Sequence, residues 1–306
     1  MAAPFISICI STYNRTKYLP RLLDSIIGQS FKDYNIIVTD NTRDDRIEQL
    51  IYGYRDRLDI RYYRNEPMLN MTGNWNRAFE MADGEWIKLI HDDDWLATDT
   101  ALEDFAEATK KGNRFIYCGR NDYYEGTGKY VPMAIDSSQF DAVSANPLML
   151  YAGNVIGPPS VLMFHNSVKE YYDPTLEWFV DIEYYIRMFK KEPATYIPKA
   201  LINMSYNETQ VTNSVFNNPA VQIPELLHIF RDGLDKVTGV MTYDGFWRIV
   251  RNLGIRSVSD MEQYANGRNI PVLFKRIINH QKLIPQPLLK KGPVSKIAMA
   301  ASYIIN

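Results

Sequence analysis

Three consecutive carboxylates, Asp92-Asp93-Asp94, follow the apolar run Trp86-Ile87-Lys88-Leu89-Ile90-His91. Adjacent carboxylates repel one another, so a triplet at the end of a strand calls for a compensating cation. Mg2+ and Mn2+ take oxygen ligands, commonly one or two carboxylates together with substrate phosphates. The triplet therefore reads either as the seat of a metal-bound nucleotide or as a solvated acidic turn ahead of a helix beginning near Thr98. Three residues alone do not separate the two.

The segments that must position the triplet narrow the choice. Ile6-Ser7-Ile8-Cys9-Ile10-Ser11-Thr12 is a β-rich run closed by the polar turn Tyr13-Asn14-Arg15, and a helical pattern with Leu19, Leu22, Leu23 and Ile26 on one side follows it. Residues 35–39 form a second strand ending at Asp40, residues 60–63 a third, and residues 72–82 a helix ahead of the strand that leads into the aspartates. Strands alternating with helices predict an α/β fold, a mostly parallel sheet flanked by helices. Ligands of such sheets bind outside the carboxyl ends of the strands, and Thr12, Asp40 and residues 92–94 all fall there.

Together these segments resemble the opening of the family 2 glycosyltransferases of GT-A fold. The likeness rests on Ser7 to Arg15, Leu22 to Gln29, Ile36 to Asn41, Asn76 to Glu85 and the aspartate triplet, in that order, and extends over roughly residues 5–215. It implies a nucleotide-diphospho-sugar donor. By resemblance, Thr12, Tyr13, Asn14, Arg15 and Asn76 line the nucleotide pocket, and Asp40 accepts a hydrogen bond from the base imide, as suits uracil or thymine. Asp92 and Asp93 face the nucleotide. Asp94, with Asp92 beside it, is the expected ligand of a Mn2+ or Mg2+ cofactor. His91 is open to two readings, a further ligand or an ordinary core histidine, and the second is preferred because the position varies in the family.

The resemblance also implies a catalytic base. Glu177-Trp178-Phe179-Val180-Asp181-Ile182-Glu183 matches an acid-rich helix start in the family, with Asp181 at the base, Arg187 at a recurrent arginine and Val180 where the family often has Glu. A helix N-terminus holds such a carboxylate ionised. A plain N-cap is the competing reading of Asp181. Gly157, Trp178 and Glu183 are the acceptor-side candidates. After a strand over residues 200–204, where many relatives carry Arg-x-His, this chain has Ser205-Tyr206-Asn207. Trp75 likewise replaces a common arginine.

With 306 residues and 46% hydrophobic content, the chain can bury one sizeable core and carry an appended region. The expected division is a catalytic domain over residues 1–218 and a helical region over 219–306, with helices at 224–237, 242–252, 260–265 and 271–283. Cys9 and Cys118 fall in predicted strands without metal-ligand spacing and read as reduced core thiols. With no leader-like start, this places the protein in the cytoplasm or at the inner face of the cell membrane.

Charge is uneven along the chain. No acid follows Glu262, whereas Arg268, Lys275, Arg276, Lys282, Lys290, Lys291 and Lys296 do. Residues 268–306 also carry short apolar segments. Adsorption to an anionic membrane surface, a basic lid over the acidic catalytic domain and a homodimer contact are the three readings of that tail. The formal net charge of −2 and the lack of a binding module argue against nucleic acid.

The reaction expected from the resemblance is inverting, metal-dependent transfer of a sugar from a UDP- or dTDP-linked donor. The acceptor is a hydroxyl of a glycan or lipid-linked molecule, in surface-polysaccharide or glycolipid assembly. Phosphoryl transfer through an Asp-x-Asp nucleophile is disfavoured by Trp95-Leu96 after the triplet, and neither a Gly-x-x-x-x-Gly-Lys loop nor a Gly-x-Gly-x-x-Gly turn occurs. The alternative is a non-catalytic relative that binds a nucleotide sugar or a partner protein.

Overall fold

The computed structural model describes residues 3–208, 215–230 and 239–305. They fall into two compact units: residues 1–145, 155–174 and 187–208 make one, and 146–154, 175–186 and 209–306 the other.

The first unit is built on a nine-stranded sheet: β1 (Ile6–Thr12), β2 (Tyr34–Asp40), β3 (Ile60–Arg64), β4 (Trp86–His91), β5 (Trp95–Leu96), β6 (Phe115–Tyr124), β7 (Lys129–Met133), β8 (Leu162–His165) and β9 (Ala194–Tyr206). Their order is β3-β2-β1-β4-β8-β6-β9-β5, with β7 paired to β6. The β3-β2-β1-β4 half is parallel. Beyond β4 the sheet is mixed, because β8 runs antiparallel to both β4 and β6, and β5 antiparallel to β9. The α/β class therefore holds, but the sheet is less parallel than the strand-helix alternation of the first hundred residues predicts.

All seven residues of β1 are buried, as expected of a strand covered on both faces. Helix α1 (Leu19–Ile27) buries Leu19, Leu22, Leu23 and Ile26, the i, i+3, i+4, i+7 stripe of a helix laid on a sheet. Pro20 sits in its first turn, where a missing N–H costs nothing. Helices α2 (Arg46–Tyr52), α3 (Met71–Met81), α4 (Ala101–Thr109) and α5 (Ser137–Ala145) complete the unit. Helix α5 and strand β7 have exposed, weakly periodic sequences and were not anticipated.

The second unit is helical. Its first helix, α6 (Val180–Lys191), begins there and continues into residues of the first unit. Further helices span Pro219–Phe230, Val240–Asn252, Val258–Glu262, Val272–Lys282, Gln286–Leu289 and Gly292–Ile305. The expected helix over 224–237 starts earlier than predicted, and its expected last seven positions, 231–237, lie outside the described residues. Phe246 and Trp247 are fully buried, Phe246 against Phe230, Phe274 and Tyr151, so this aromatic pair is core. At Gly245 a Cβ would come within 2.6 Å of the Tyr151 and Ala152 backbone, so only glycine lets the 240–252 helix sit so close to that turn. No helix among the described residues is long and apolar enough to cross a membrane.

Candidate functional site

The ends of β1, β2 and β4 lie side by side. Thr12 is the register partner of Asp40, and Ser11 that of His91. After β4 the chain turns tightly, Asp94 N–H donating to the His91 carbonyl at 3.1 Å, and the turn presents all three aspartates at one place. Each is less than 10% exposed. They are buried groups, which rules out a merely solvated acidic turn.

Each carboxylate has its own donors. Asp92 Oδ2 accepts from Thr12 Oγ1 at 2.7 Å. Asp93 is ion-paired with Arg15 and accepts from Asn207 Nδ2 at 2.9 Å. Asp94 accepts from Ser160 Oγ at 2.5 Å and from Ser205 N–H at 3.0 Å. The turn after β1 brings Arg15 round to Asp93 through Asn14, which adopts the left-handed conformation (φ 58°) that asparagine tolerates better than most residues. Asn14 N–H donates to Thr42 Oγ1, tying the β1 turn to the β2 turn. Tyr13 is half exposed at the rim.

One arginine does not neutralise three buried acids. Burial and then the Asp93 charge push the Asp92 carboxyl up to about 7, and burial with Asp93 pushes Asp94 up to about 8. Burial holds His91 down to about 4, so its imidazole is neutral at pH 7. The ring stacks on Trp75 with centroids 4.8 Å apart, and its Nε2 is buried with no hydrogen-bond partner among the described residues.

His91, Asp93 and Asp94 each bring one ligand atom within 4.8 Å of the others. An orphaned imidazole nitrogen beside two buried carboxylates, Asp94 among them raised by burial, fits a divalent cation, which would satisfy the nitrogen and replace the missing positive charge. The expected pair was Asp94 with Asp92. The geometry instead groups His91 and Asp93 with Asp94 and turns Asp92 toward Thr12.

Asp40 is fully buried, with Oδ1 accepting from Thr42 N–H and Oδ2 from the Tyr62 hydroxyl, both at 2.7 Å. A cleft of about 190 Å³ opens beside it, lined by Asn41, Thr42, Arg43, Arg64, Asn65 and Met68 among others. The Asn76 side chain donates to the Tyr172 carbonyl and accepts from the Tyr172 N–H at 2.8 and 2.9 Å, a clamp on that segment. The neighbouring Asn74 is the one that reaches β1, donating to the Thr12 carbonyl at 3.3 Å.

The chain has other groups at this site that motif reading passed over. Glu125 Oε1 receives Arg21 at 2.7 Å and Ser205 Oγ at 2.8 Å, and Arg21 also donates to the Asp93 carbonyl. Lys88, fully buried, donates to the Ser160, Leu162 and Leu89 carbonyls. A lysine inside an otherwise apolar strand was the available signal, since such a group needs buried partners. Ser160, Ser205 and Glu125 carried none. At Gly157 (φ +116°) a Cβ would fall 2.6 Å from the Arg120 guanidinium, so this glycine makes room for Arg120, which is paired with Asp122.

In the second unit, Asp181 stands in the first turn of α6, half-buried. Its Oδ2 accepts from Asn154 Nδ2 at 2.7 Å and its Oδ1 from the Ile182 N–H at 2.9 Å. Glu183 shares that turn, and Trp178 just ahead of it lies against Phe216. Ahead of the helix, Glu225 Oε1 and Oε2 accept from the N–H groups of Glu177, Trp178 and Phe179 at 2.6–3.3 Å. Arg187, further along α6, pairs with Glu170 at 2.6 Å.

A family model for glycosyl transferase family 2 matches residues 7–170, more than half of the chain. The chain belongs to that family. Curated relatives of this family 2 chain include the GalNAc(5)-diNAcBac-PP-undecaprenol beta-1,3-glucosyltransferase of Campylobacter jejuni, 29% identical over 37% of this chain and 37% of that protein. Abequosyltransferase RfbV of Salmonella typhimurium is 37% identical over 31% of this chain and 30% of its own length. The chain spans about a third of the length of several of the curated relatives it matches.

Two solved structures share the fold. TarS of S. aureus (residues 1–349), in complex with UDP-GlcNAc, superposes with a TM-score of 0.59 at 16% identity, covering 91% of each chain. The mannosyltransferase PcManGT of Pyrobaculum calidifontis, in complex with GDP-Man and Mn2+, gives 0.54 at 12% identity, covering 100% of this chain and 87% of that one.

Proposed function

We propose that this family 2 chain transfers a sugar, with inversion, from a UDP- or dTDP-linked donor to a hydroxyl of a glycan or lipid-linked acceptor. The observation that carries the reading is the buried His91, Asp93 and Asp94 cluster at the carboxyl end of β4, beside Thr12 and Asp40. Relatives named as sugar transferases, one of them acting on an undecaprenol-linked glycan by its name, support it.

His91, Asp93 and Asp94 would hold Mn2+ or Mg2+, with Asp92 and Arg15 beside them. When bound, the cation neutralises charge developing on the leaving diphosphate. Thr12 orients Asp92, and Ser160 Oγ and the Ser205 N–H fix Asp94 by two hydrogen bonds. Asp40 reads the base: the Tyr62 hydroxyl on Oδ2 is a neutral donor that an imide N–H can replace, leaving the carboxylate satisfied. Asp181, held by Asn154 Nδ2 and the Ile182 N–H in the first turn of its helix, takes the proton of the acceptor hydroxyl.

Thermal-shift titration with UDP, dTDP, GDP and CDP, each with and without Mn2+, tests the donor site. A ligand of the folded state raises the melting temperature by mass action. Stabilisation by UDP or dTDP, enhanced by Mn2+ and lost in Asp94→Ala, is expected. No shift with any nucleotide would refute the reading.

A further inference from the structure

The last described helix, Gly292–Ile305, is inside out. The residues it buries are Ser295, Met299 and Ser302. Both serines are in hydrogen bonds: Ser295 Oγ accepts from Trp247 Nε1 at 3.0 Å and from Arg251 at 2.9 Å, and Ser302 Oγ meets the Tyr243 hydroxyl at 2.5 Å and His280 Nδ1 at 2.6 Å. The outward face carries the large aliphatics, Ile297 at 72%, Ile304 at 82% and Ile305 at 75% exposed, with Ala301 between them. Residues 297, 301, 304 and 305 follow the i, i+4, i+7, i+8 spacing of one helical stripe. Soluble helices place such a stripe against the core, and here polar side chains hold the helix to its neighbours while the apolar stripe faces outward.

Charge shows what covers it. Lys290, Lys291 and Lys296, at and just before the start of this helix, are exposed and form no ion pair among the described residues, as is true of Lys275, Arg276 and Lys282 in the helix packed beside it. No carboxylate follows Glu262 in the sequence. A second copy of this chain would bring the same positive charge to the same face and be repelled. An anionic lipid surface offers both phosphate charge for the lysines and acyl chain for the isoleucines.

We infer that the outward stripe of the 292–305 helix, with the lysines flanking its start, docks this protein on an anionic lipid surface. The inference gives the lipid-linked acceptor a place to be met and in that sense rests on the proposed function. Its evidence is separate.

The test is flotation of the purified full chain with vesicles of phosphatidylcholine alone or with phosphatidylglycerol, at about 0.1 and 0.5 M salt. Co-flotation with phosphatidylglycerol vesicles at low salt is expected, weakened by high salt as exposed charges are screened. A Lys290→Ala/Lys291→Ala/Lys296→Ala variant should lower the partition coefficient roughly a hundredfold. An Ile297→Ser/Ile304→Ser/Ile305→Ser variant should abolish flotation while keeping the wild-type melting temperature. Failure to float with phosphatidylglycerol vesicles overturns the inference. So does a dimer in solution that the isoleucine variant converts to monomer. Nucleotide titration of the same samples separates the two proposals: flotation without any nucleotide shift leaves docking standing and removes the transferase reading, and the converse removes docking alone.

Discussion

Glu225 Oε2 accepts from the Phe179 N–H at 3.0 Å, one residue before the helix that carries Asp181. With Glu177 and Trp178 the same carboxylate receives three backbone donors that the helix itself cannot satisfy. A side chain from a distant helix thus does the work of a local cap. Glu225→Ala leaves three N–H groups without their acceptor and should destabilise the protein by about 2–4 kcal/mol, read as a fall in denaturant midpoint. Glu225→Gln keeps one acceptor oxygen and should recover part of the loss. If Asp181 is the base, both variants lower turnover more than donor affinity.

The pH response of the aspartate cluster follows from its raised pKa values. With Asp92 at about 7 and Asp94 at about 8, the folded protein holds protons that the unfolded chain has released above pH 4. This contribution to stability is therefore largest at acid pH and is lost as pH rises through about 7 to 8. Without metal, wild type should lose stability relative to Asp94→Asn as pH goes from 5.5 to 8.5. Cation binding needs the deprotonated carboxylates, so stabilisation by Mn2+ should grow over the same range. A Mn2+ shift that is flat in pH, or larger at 5.5 than at 8.5, removes Asp94 from the metal site.

Lys88 gives a second pH signature, of opposite sign. Burial pushes its ammonium down to about 7 from an ordinary value of 10.5. Between those limits the unfolded chain binds the proton and the folded one does not, so folding gains stability as pH rises from about 7 toward 10. Relative to Lys88→Met, wild type should gain up to about 1.4 kcal/mol per pH unit across that window, measured by urea unfolding. The lysine also grips the Ser160 carbonyl, whose hydroxyl holds Asp94, so Lys88→Met should weaken Mn2+ binding as well.

How much of this was legible depends on the range of the interaction. The parallel half of the sheet and the convergence of Thr12, Asp40 and the triplet could be read, because each strand signals itself locally and the carboxyl-end rule then places the residues. Sequence favoured the core reading of His91 over the ligand one, since the Trp75 ring stacked on it and its unpartnered Nε2 are revealed only by the fold. Asn76, expected at the nucleotide, holds Tyr172, 96 residues away, and Asn74 faces Thr12. Helix phase separates the two, and two residues change the face. The antiparallel half of the sheet escaped for a similar reason: β8 is four residues long and is inserted between β4 and β6 by pairings of about fifty to eighty residues in separation.

Asp181 carries the sharpest prediction. Its Oδ2 accepts from Asn154 Nδ2 and its Oδ1 from the Ile182 N–H, which orient the carboxylate in the first turn of its helix. Asp181→Asn keeps the shape and removes the charge. Because the acceptor is not needed to see donor cleavage, slow hydrolysis of a UDP-sugar to UDP in the presence of Mn2+ serves as the readout, with water in the place of the acceptor hydroxyl. Loss of general-base catalysis should lower kcat by about 10²–10⁴. The thermal shift produced by UDP with Mn2+ should stay at its wild-type value, since no donor contact is removed. Asn154→Ala removes a bond that orients the base and should give a smaller fall in kcat, about tenfold, with KM unchanged. Undiminished hydrolysis in Asp181→Asn would make this aspartate a cap of its own helix, and loss of the nucleotide shift would make it part of the donor pocket.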